Sequence, residues 1–221
     1  MLVEGWPDDV RACLDALLRH TSDDVVVQVL DLGDVDGAGA AVEEFAGPRV
    51  EAWHVAGAAG WAAARAALLR ADTAAVHVWC EVSTVFEGDA LGPLLAAFDD
   101  PGVVGAGWRG GVFDAEWHEV ADAGPGEVDV LLGYLFAMRR SAALATGGPH
   151  RKARYYRNAD LEFSLALRAA SGGRLVVPDL ELPVRQGRHH GYHDTDPAYR
   201  DRESRRTWLR MRDRYRPPGT R

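Results

Sequence analysis

Short apolar runs alternate with helical patterns along the first half of the chain, and this order constrains the fold more than any other feature. Residues 25–30 form a nearly continuous run of β-branched and apolar side chains, typical of a strand buried on both faces. In chain order, the sequence predicts helices at 8–20, 40–45, 58–71 and 91–98 and strands at 25–30, 50–55, 75–80 and 103–107. This alternation predicts an α/β fold, a three-layer α/β/α sandwich around a mostly parallel central sheet.

The second half of the chain has a different character. The sequence predicts an exposed hairpin at 112–120, a loop at 121–126, one buried strand at 128–139, a helix at 161–170 and a strand at 175–178. An Arg-rich amphipathic helix at 197–216 closes the chain. We expect a single domain over residues 1–221, with that helix, assigned to 197–221, as its C-terminal element.

Bulk properties exclude several classes of protein. The 221 residues are enough to bury a substantial core. No apolar run approaches the roughly 18 residues that a membrane span needs, and the N-terminus lacks a basic, apolar signal pattern. Cys13 and Cys80 lie in apolar patterns and are interpreted as buried free thiols. The sequence therefore predicts a cytoplasmic globular protein with no membrane span.

Charge is distributed unevenly along the chain. Residues 1–150 hold 8 Lys and Arg against 24 Asp and Glu, a net charge of −16, whereas residues 151–221 hold 17 against 9, a net charge of +8. The basic third has three interpretations: it neutralises a diphosphate, meets an anionic lipid headgroup, or pairs with the acidic body. No stretch interleaves aromatic residues with Lys and Gly, so nucleic acid is not an expected partner.

Asp31 follows a predicted buried strand, where ligands bind at the carboxyl edge of open parallel sheets. Its carboxylate could accept hydrogen bonds from a nucleobase or a ribose hydroxyl. The alternative is an Asp that only stabilises the turn-rich loop of residues 31–37, which also contains Gly33 and Asp36.

Two segments about twenty residues apart carry the strongest chemical signal. Residues 132–140 contain Gly133 and Tyr134, and residues 156–164 place Asp160 at the opening of an amphipathic helix. A carboxylate in that position can act as a general base, although it could also serve only as a helix cap.

The order and spacing of these segments resemble the second half of a family-2 inverting glycosyltransferase with the GT-A fold. The resemblance implies a nucleotide-sugar-binding half at 1–107, an acceptor and catalytic half at 108–196, and transfer of a sugar to an acceptor hydroxyl with inversion, Asp160 being the base. The implied donor is a nucleoside diphosphate sugar. The implied acceptor is a glycan, a lipid-linked molecule or a small molecule.

The same resemblance implies the remaining site residues. Where the family usually has Asp-x-Asp, this chain has Glu81-Val82-Ser83. A histidine after the last strand matches His189, with His190 as the alternative. These three, Glu81, Ser83 and His189, are the implied ligands of a weakly bound divalent cation, Mn²⁺ or Mg²⁺. The implied nucleotide-sugar contacts are Asp31, Gly33, Asp36, Glu81, Ser83, Gly133, Tyr134, Arg139 and Arg157.

A rival interpretation is a glycosyltransferase-like protein that has lost catalysis and serves as a binding module. The altered Glu81-Val82-Ser83 segment favours it, and the preserved surroundings of Asp160 oppose it. For the basic C-terminal segment we expect a lid over the sheet's carboxyl edge, the alternative being a surface that docks a partner or a membrane.

Overall fold

The computed structural model describes residues 1–55 and 59–218. Its helices are α1 (Pro7–His20), α2 (Ala38–Glu43), α3 (Trp61–Ala71), α4 (Leu91–Ala96), α5 (Arg140–Ala145), α6 (Ala159–Ser171), α7 (His190–His193) and α8 (Pro197–Tyr215). Its strands are β1 (Leu2–Val3), β2 (Val27–Leu32), β3 (Val50–Val55), β4 (Val76–Cys80), β5 (Thr84–Phe86), β6 (Val103–Gly107), β7 (Gly110–Phe113), β8 (Val120–Ala123), β9 (Gly126–Val128), β10 (Val130–Leu131), β11 (Leu135–Arg139), β12 (Arg174–Val177) and β13 (Val184–Gln186). The predicted start of the third helix, Ala58, lies outside the described residues.

The central strands form two sheets. Strands β1, β2 and β3 pair in parallel, with Val3 opposite Asp31 and Asp31 opposite His54. The second sheet has the order β4-β11-β6-β12-β9. Within it β4, β6 and β12 share one direction, whereas β11 and β9 run against them.

Helices cover both faces of the sheets, which confirms the predicted three layers. Alternate residues of β11 show the division, because successive side chains of a strand point to opposite faces. Leu135 and Ala137 pack into a core shared with α1, α2 and α4. Phe136 and Met138 pack into a second core shared with α3, α5 and α6.

The single buried strand predicted at 128–139 is wrong, because the structure divides this segment into β9, β10 and β11. The backbone leaves the ladder between β10 and β11, where Leu132 donates its N–H to the carbonyl of Arg109 and Gly133 donates its N–H to Asp160. The run looks continuous in sequence since its residues are buried on both sides of the break. This break creates the loop on which the candidate site is built.

The C-terminal helix α8 packs beside α6 and not over the sheet edge. Met211 is fully buried in a small apolar cluster with Leu161 and Leu165 of α6. Arg210 of α8 forms a two-pronged ion pair with Glu162, with N–O distances of 2.7 and 2.6 Å. Across the described ranges, no helix is both long enough and apolar enough to cross a membrane.

Candidate active site

The predicted base Asp160 is the second residue of α6. The turn before the helix brings Asn158 into the left-handed region, with φ 66°, and Ala159 donates its N–H to the carbonyl of Tyr156. Asp160 then accepts a hydrogen bond from the N–H of Gly133 at 2.8 Å and another from the N–H of Leu161 at 2.9 Å. Each carboxylate oxygen is therefore held by one backbone donor.

Gly133 allows this close approach because it has no side chain. A Cβ placed on Gly133 would lie 3.3 Å from the Cβ of Asp160 and 3.4 Å from its Oδ2. A larger residue would push the carboxylate away from the donor, so the Gly in this position fixes where the base sits.

The surroundings of Asp160 make its carboxyl group hard to ionise. Burial raises its pKa from the usual 3.8 to about 6, which outweighs the lowering by the Gly133 and Leu161 hydrogen bonds. The negative charge of Glu81 raises the pKa further. A carboxylate with a pKa near 6 is both ionised at neutral pH and basic enough to accept a proton.

Glu81 lies across the same cavity from Asp160, directly after β4. Its N–H donates to the carbonyl of Tyr134, and its Oε1 accepts a hydrogen bond at 2.8 Å from the guanidinium of Arg65. The Arg65 side chain is only 1% exposed, and it lies over the rings of Trp61 and Trp79 at 5.7 and 5.2 Å.

Arg65 was not predicted to belong to the site. The signal in the sequence is its position in an Ala-rich helix, four residues after Trp61 and four before Leu69, because this spacing puts a charged residue on the apolar stripe. A charged side chain on a buried stripe requires a partner, although the sequence does not identify which one.

A cavity of ≈ 380 Å³ connects these groups. Of the predicted site residues it is lined by Glu81, Gly133, Tyr134, Arg157, Asp160 and His189. Sequence reasoning missed other wall residues, notably Tyr156, Tyr192 and His193. No residue of α8 is among the lining residues found in the described part of the chain. The lining residues nearest to this helix in sequence are His189, Tyr192 and His193, which precede it.

His189 is held between aromatic rings. It stacks on Tyr156 at 4.6 Å and meets the edge of Tyr134 at 5.5 Å. Burial lowers the pKa of His189, which keeps the ring neutral at pH 7, and its buried Nε2 has no hydrogen-bond partner among the described residues. Arg157 lies over the ring of Tyr192 at 5.1 Å on the same wall.

The last residues of β2 and the segment that follows them lie outside this cavity. Asp31 is 1% exposed, and its Oδ2 accepts hydrogen bonds from the N–H of Asp34 at 3.0 Å and from His54 Nδ1 at 3.2 Å. Gly33 and Asp36 follow in the same loop and are likewise absent from the cavity lining. A nucleotide contact by these three residues stays a prediction.

The structure does not bring Arg139 to the site. Because β11 runs antiparallel to β4, Leu135 lies beside Cys80 at the site edge, whereas Arg139 lies beside Val76 at the opposite edge. The guanidinium there donates to the carbonyls of Val103 and Phe98. The sequence could not reveal this because the strand direction depends on the loop that precedes β11.

The predicted metal ligands do not form a cation site in this arrangement. Glu81 is already paired with Arg65, and Ser83, which is 5% exposed, accepts a hydrogen bond from Gln186 at 2.7 Å. That leaves His189 and no free carboxylate pair, whereas a hard cation such as Mg²⁺ prefers several oxygen ligands. Within residues 1–55 and 59–218, no group of three or more His, Cys, Asp and Glu residues could hold a metal ion.

Comparisons with solved structures find the same fold in other proteins. A crystal structure of GalNAc-T7 with UDP, GalNAc and Mn²⁺ matches 96% of this chain and 46% of its own, with a TM-score of 0.74 and 12% identity. The mannosyltransferase PcManGT from Pyrobaculum calidifontis, in complex with GDP-Man and Mn²⁺, matches 87% of this chain and 57% of its own, with a TM-score of 0.69 and 17% identity. The chain therefore spans about half the length of these two proteins.

The fold is the GT-A fold of nucleotide-sugar glycosyltransferases, as the sequence predicts. A family model described as Glycosyl transferase family 2 matches residues 4–162. The chain belongs to glycosyltransferase family 2. No curated protein sequence matches it significantly.

Proposed function

We propose that the protein transfers a sugar from a nucleoside diphosphate sugar to an acceptor hydroxyl with inversion. The observation that carries the proposal is Asp160, a carboxylate with its pKa raised to about 6 by burial, held by two backbone donors on the wall of a cavity. A positioned base of this kind is what a direct displacement needs on the acceptor side.

The proposed reaction is a single step. The acceptor oxygen forms a bond to the anomeric carbon while the bond from that carbon to the diphosphate oxygen breaks. The acceptor's proton passes to the carboxylate of Asp160, and the electron pair of the broken bond leaves with the nucleoside diphosphate. Attack from the face opposite the leaving group inverts the anomeric centre.

The donor is proposed from the family and from the contents of similar structures, one with UDP and one with GDP-Man. A cavity of ≈ 380 Å³ is within the usual size of a small-molecule site. Tyr134 offers an aromatic face for a sugar, and the cation of Arg157 lies on the same wall. Asp31, Gly33 and Asp36 stay proposed contacts of the nucleoside.

Divalent metal is not assigned a step. Both similar structures contain Mn²⁺. In this chain Glu81, Ser83 and His189 were the predicted ligands, and the Arg65 pair occupies the one carboxylate among them. The same pair favours a second candidate function, a binding protein of this fold that holds a nucleotide sugar without transferring the sugar.

The test is a panel of UDP- and GDP-sugars with glycan, lipid-linked and small-molecule hydroxyl acceptors. Product formation, with the anomeric configuration of donor and product compared by NMR, is the expected result. A retained configuration would rule out inversion. Donor binding by calorimetry without turnover of any pair, in wild type and in Asp160→Asn alike, would favour the binding protein.

A further inference from the structure

The ion pair between Glu81 and Arg65 is built into the protein interior. Their side chains are 21% and 1% exposed, and the N–O distance is 2.8 Å. The guanidinium of Arg65 lies beside two adjoining rings, those of Trp61 and Trp79, both within cation–π range. Within this pair Arg65 keeps its positive charge, since an arginine does not lose its proton in proteins.

The guanidinium of Arg65 has more hydrogen-bond donors than the neighbouring residues have acceptors for it. Its Nε and Nη1 are buried and have no hydrogen-bond partner among the described residues, so only the Nη2 contact with Glu81 is satisfied. Buried polar groups without partners are rare in folded proteins because each one costs free energy. Two unpaired donors on one buried cation therefore indicate acceptors that arrive with a ligand.

Arg65 is part of the wall of a narrow crevice that adjoins the main cavity. Arg65 lines the crevice together with Glu81 and His189, and Trp61, Glu81, Tyr156 and His189 also line the ≈ 380 Å³ cavity. The crevice has a volume of ≈ 30 Å³, more than the roughly 10–15 Å³ that one water molecule needs. It can therefore accept one phosphate oxygen, while the rest of a diphosphate would lie in the cavity.

We propose that Arg65 supplies the positive charge that holds the donor's diphosphate, in place of a divalent cation, and that nucleoside diphosphate binding is metal-independent. The inference rests on the proposed function. A guanidinium presents its donors in a planar fork that matches phosphate oxygens. Glu81 orients Arg65, and His189, whose buried Nε2 has no hydrogen-bond partner among the described residues, lines the same crevice.

The first test is calorimetric titration of the wild-type protein with UDP and with GDP, in EDTA and in MnCl₂. We expect at least one of them to bind with affinities that differ by less than about two-fold between the two conditions, because the charge is supplied by the protein. Binding that disappears in EDTA and returns with Mn²⁺ would overturn the inference and leave the proposed function standing. Failure of both nucleotides to bind in either condition would overturn both.

The variant Glu81→Gln tests whether Glu81 orients Arg65 or binds a metal, because the two roles predict opposite changes in diphosphate affinity. If Glu81 only orients and neutralises Arg65, removing its charge leaves the guanidinium uncompensated, and we expect the favoured diphosphate to bind about five-fold more tightly in EDTA. If Glu81 is a metal ligand, the same change weakens binding in MnCl₂, and that result would overturn the inference.

The complementary variant is Arg65→Met, which keeps an apolar stem beside the two tryptophans. Loss of about ten-fold or more in diphosphate affinity is expected, the usual range for hydrogen bonds to charged groups. Arg70→Met, an exposed change on the same helix α3, is the matched control and should bind normally. A folded Arg65→Met protein, checked by its melting curve, that keeps wild-type affinity would overturn the inference. If that variant does not fold, the Glu81→Gln result decides.

Discussion

Two carboxylates face one cavity, and their surroundings differ. Glu81, after β4, is paired with the buried cation Arg65, whereas Asp160, at the start of α6, meets only the neutral N–H groups of Gly133 and Leu161. The ion pair removes a proton-accepting role from Glu81. Burial without a cation raises the pKa of Asp160 to about 6. The same functional group therefore becomes a charge partner in one place and, in the proposed reaction, a base in the other.

One short segment joins the two carboxylates. Gly133 donates its N–H to Asp160, and the carbonyl of the next residue, Tyr134, accepts the N–H of Glu81 at 3.1 Å. The break between β10 and β11 thus sets the position of Asp160 relative to Glu81. Glu81 and Asp160 differ in chemistry because different groups surround their carboxylates, and not because of their positions in the backbone.

The largest effect is expected from Asp160→Asn. Because the base is lost while both backbone donors stay in place, transfer should decrease by about 10²- to 10⁴-fold with donor affinity nearly unchanged. Single-turnover rates and calorimetry measure the two quantities. Asp213→Asn, an exposed change on α8, is the control. Wild-type turnover by Asp160→Asn would remove this residue from the mechanism.

A third carboxylate extends the comparison from chemistry to stability. Glu162, two residues after Asp160, is 3% exposed and paired with Arg210. Because Arg210 belongs to α8, this ion pair holds α8 against α6. Glu162→Gln should lower the free energy of unfolding by about 2–3 kcal/mol, because it leaves the partly buried guanidinium of Arg210, 19% exposed, without its charge partner. Urea denaturation gives the value. An unchanged midpoint would mean that the pair contributes nothing to stability.

The pH dependence of transfer tests the contrast directly. Asp160 is active when unprotonated, and its pKa is about 6, so kcat/KM should be constant above about pH 7 and decrease about ten-fold per unit below pH 6. A profile with its acid limb near the ordinary aspartate pKa of 3.8 would contradict the effect of burial.

The smallest expected effect links the two carboxylates. The charge of Glu81 raises the pKa of Asp160. Glu81→Gln should therefore move the acid limb of the kcat/KM profile to lower pH without abolishing transfer. Glu87→Gln, an exposed change farther along the chain, should leave the limb in place. A limb that moves upward in Glu81→Gln would mean that the two groups do not interact as the structure indicates.

Much of the fold follows from local pattern. The strands at Val50–Val55 and Val103–Gly107 have the bounds that the sequence predicts, and α8 begins at the predicted Pro197. These elements are predictable because the period of apolar side chains records which face is buried. The approach to α6 is also readable, since a carboxylate at a helix opening after a Gly-containing apolar segment is a local feature.

The sequence alone determined the element types, the family resemblance and the position of Asp160, because each depends on residues close together in the chain. Tertiary structure decided the partners. Arg65 and Glu81 are sixteen residues apart on different elements, and only the packing of α3 against the sheet places a guanidinium beside that carboxylate. The reversed direction of β11 likewise carries Arg139 to the far edge. Ion pairs and strand directions depend on contacts between distant segments, which a local pattern does not contain.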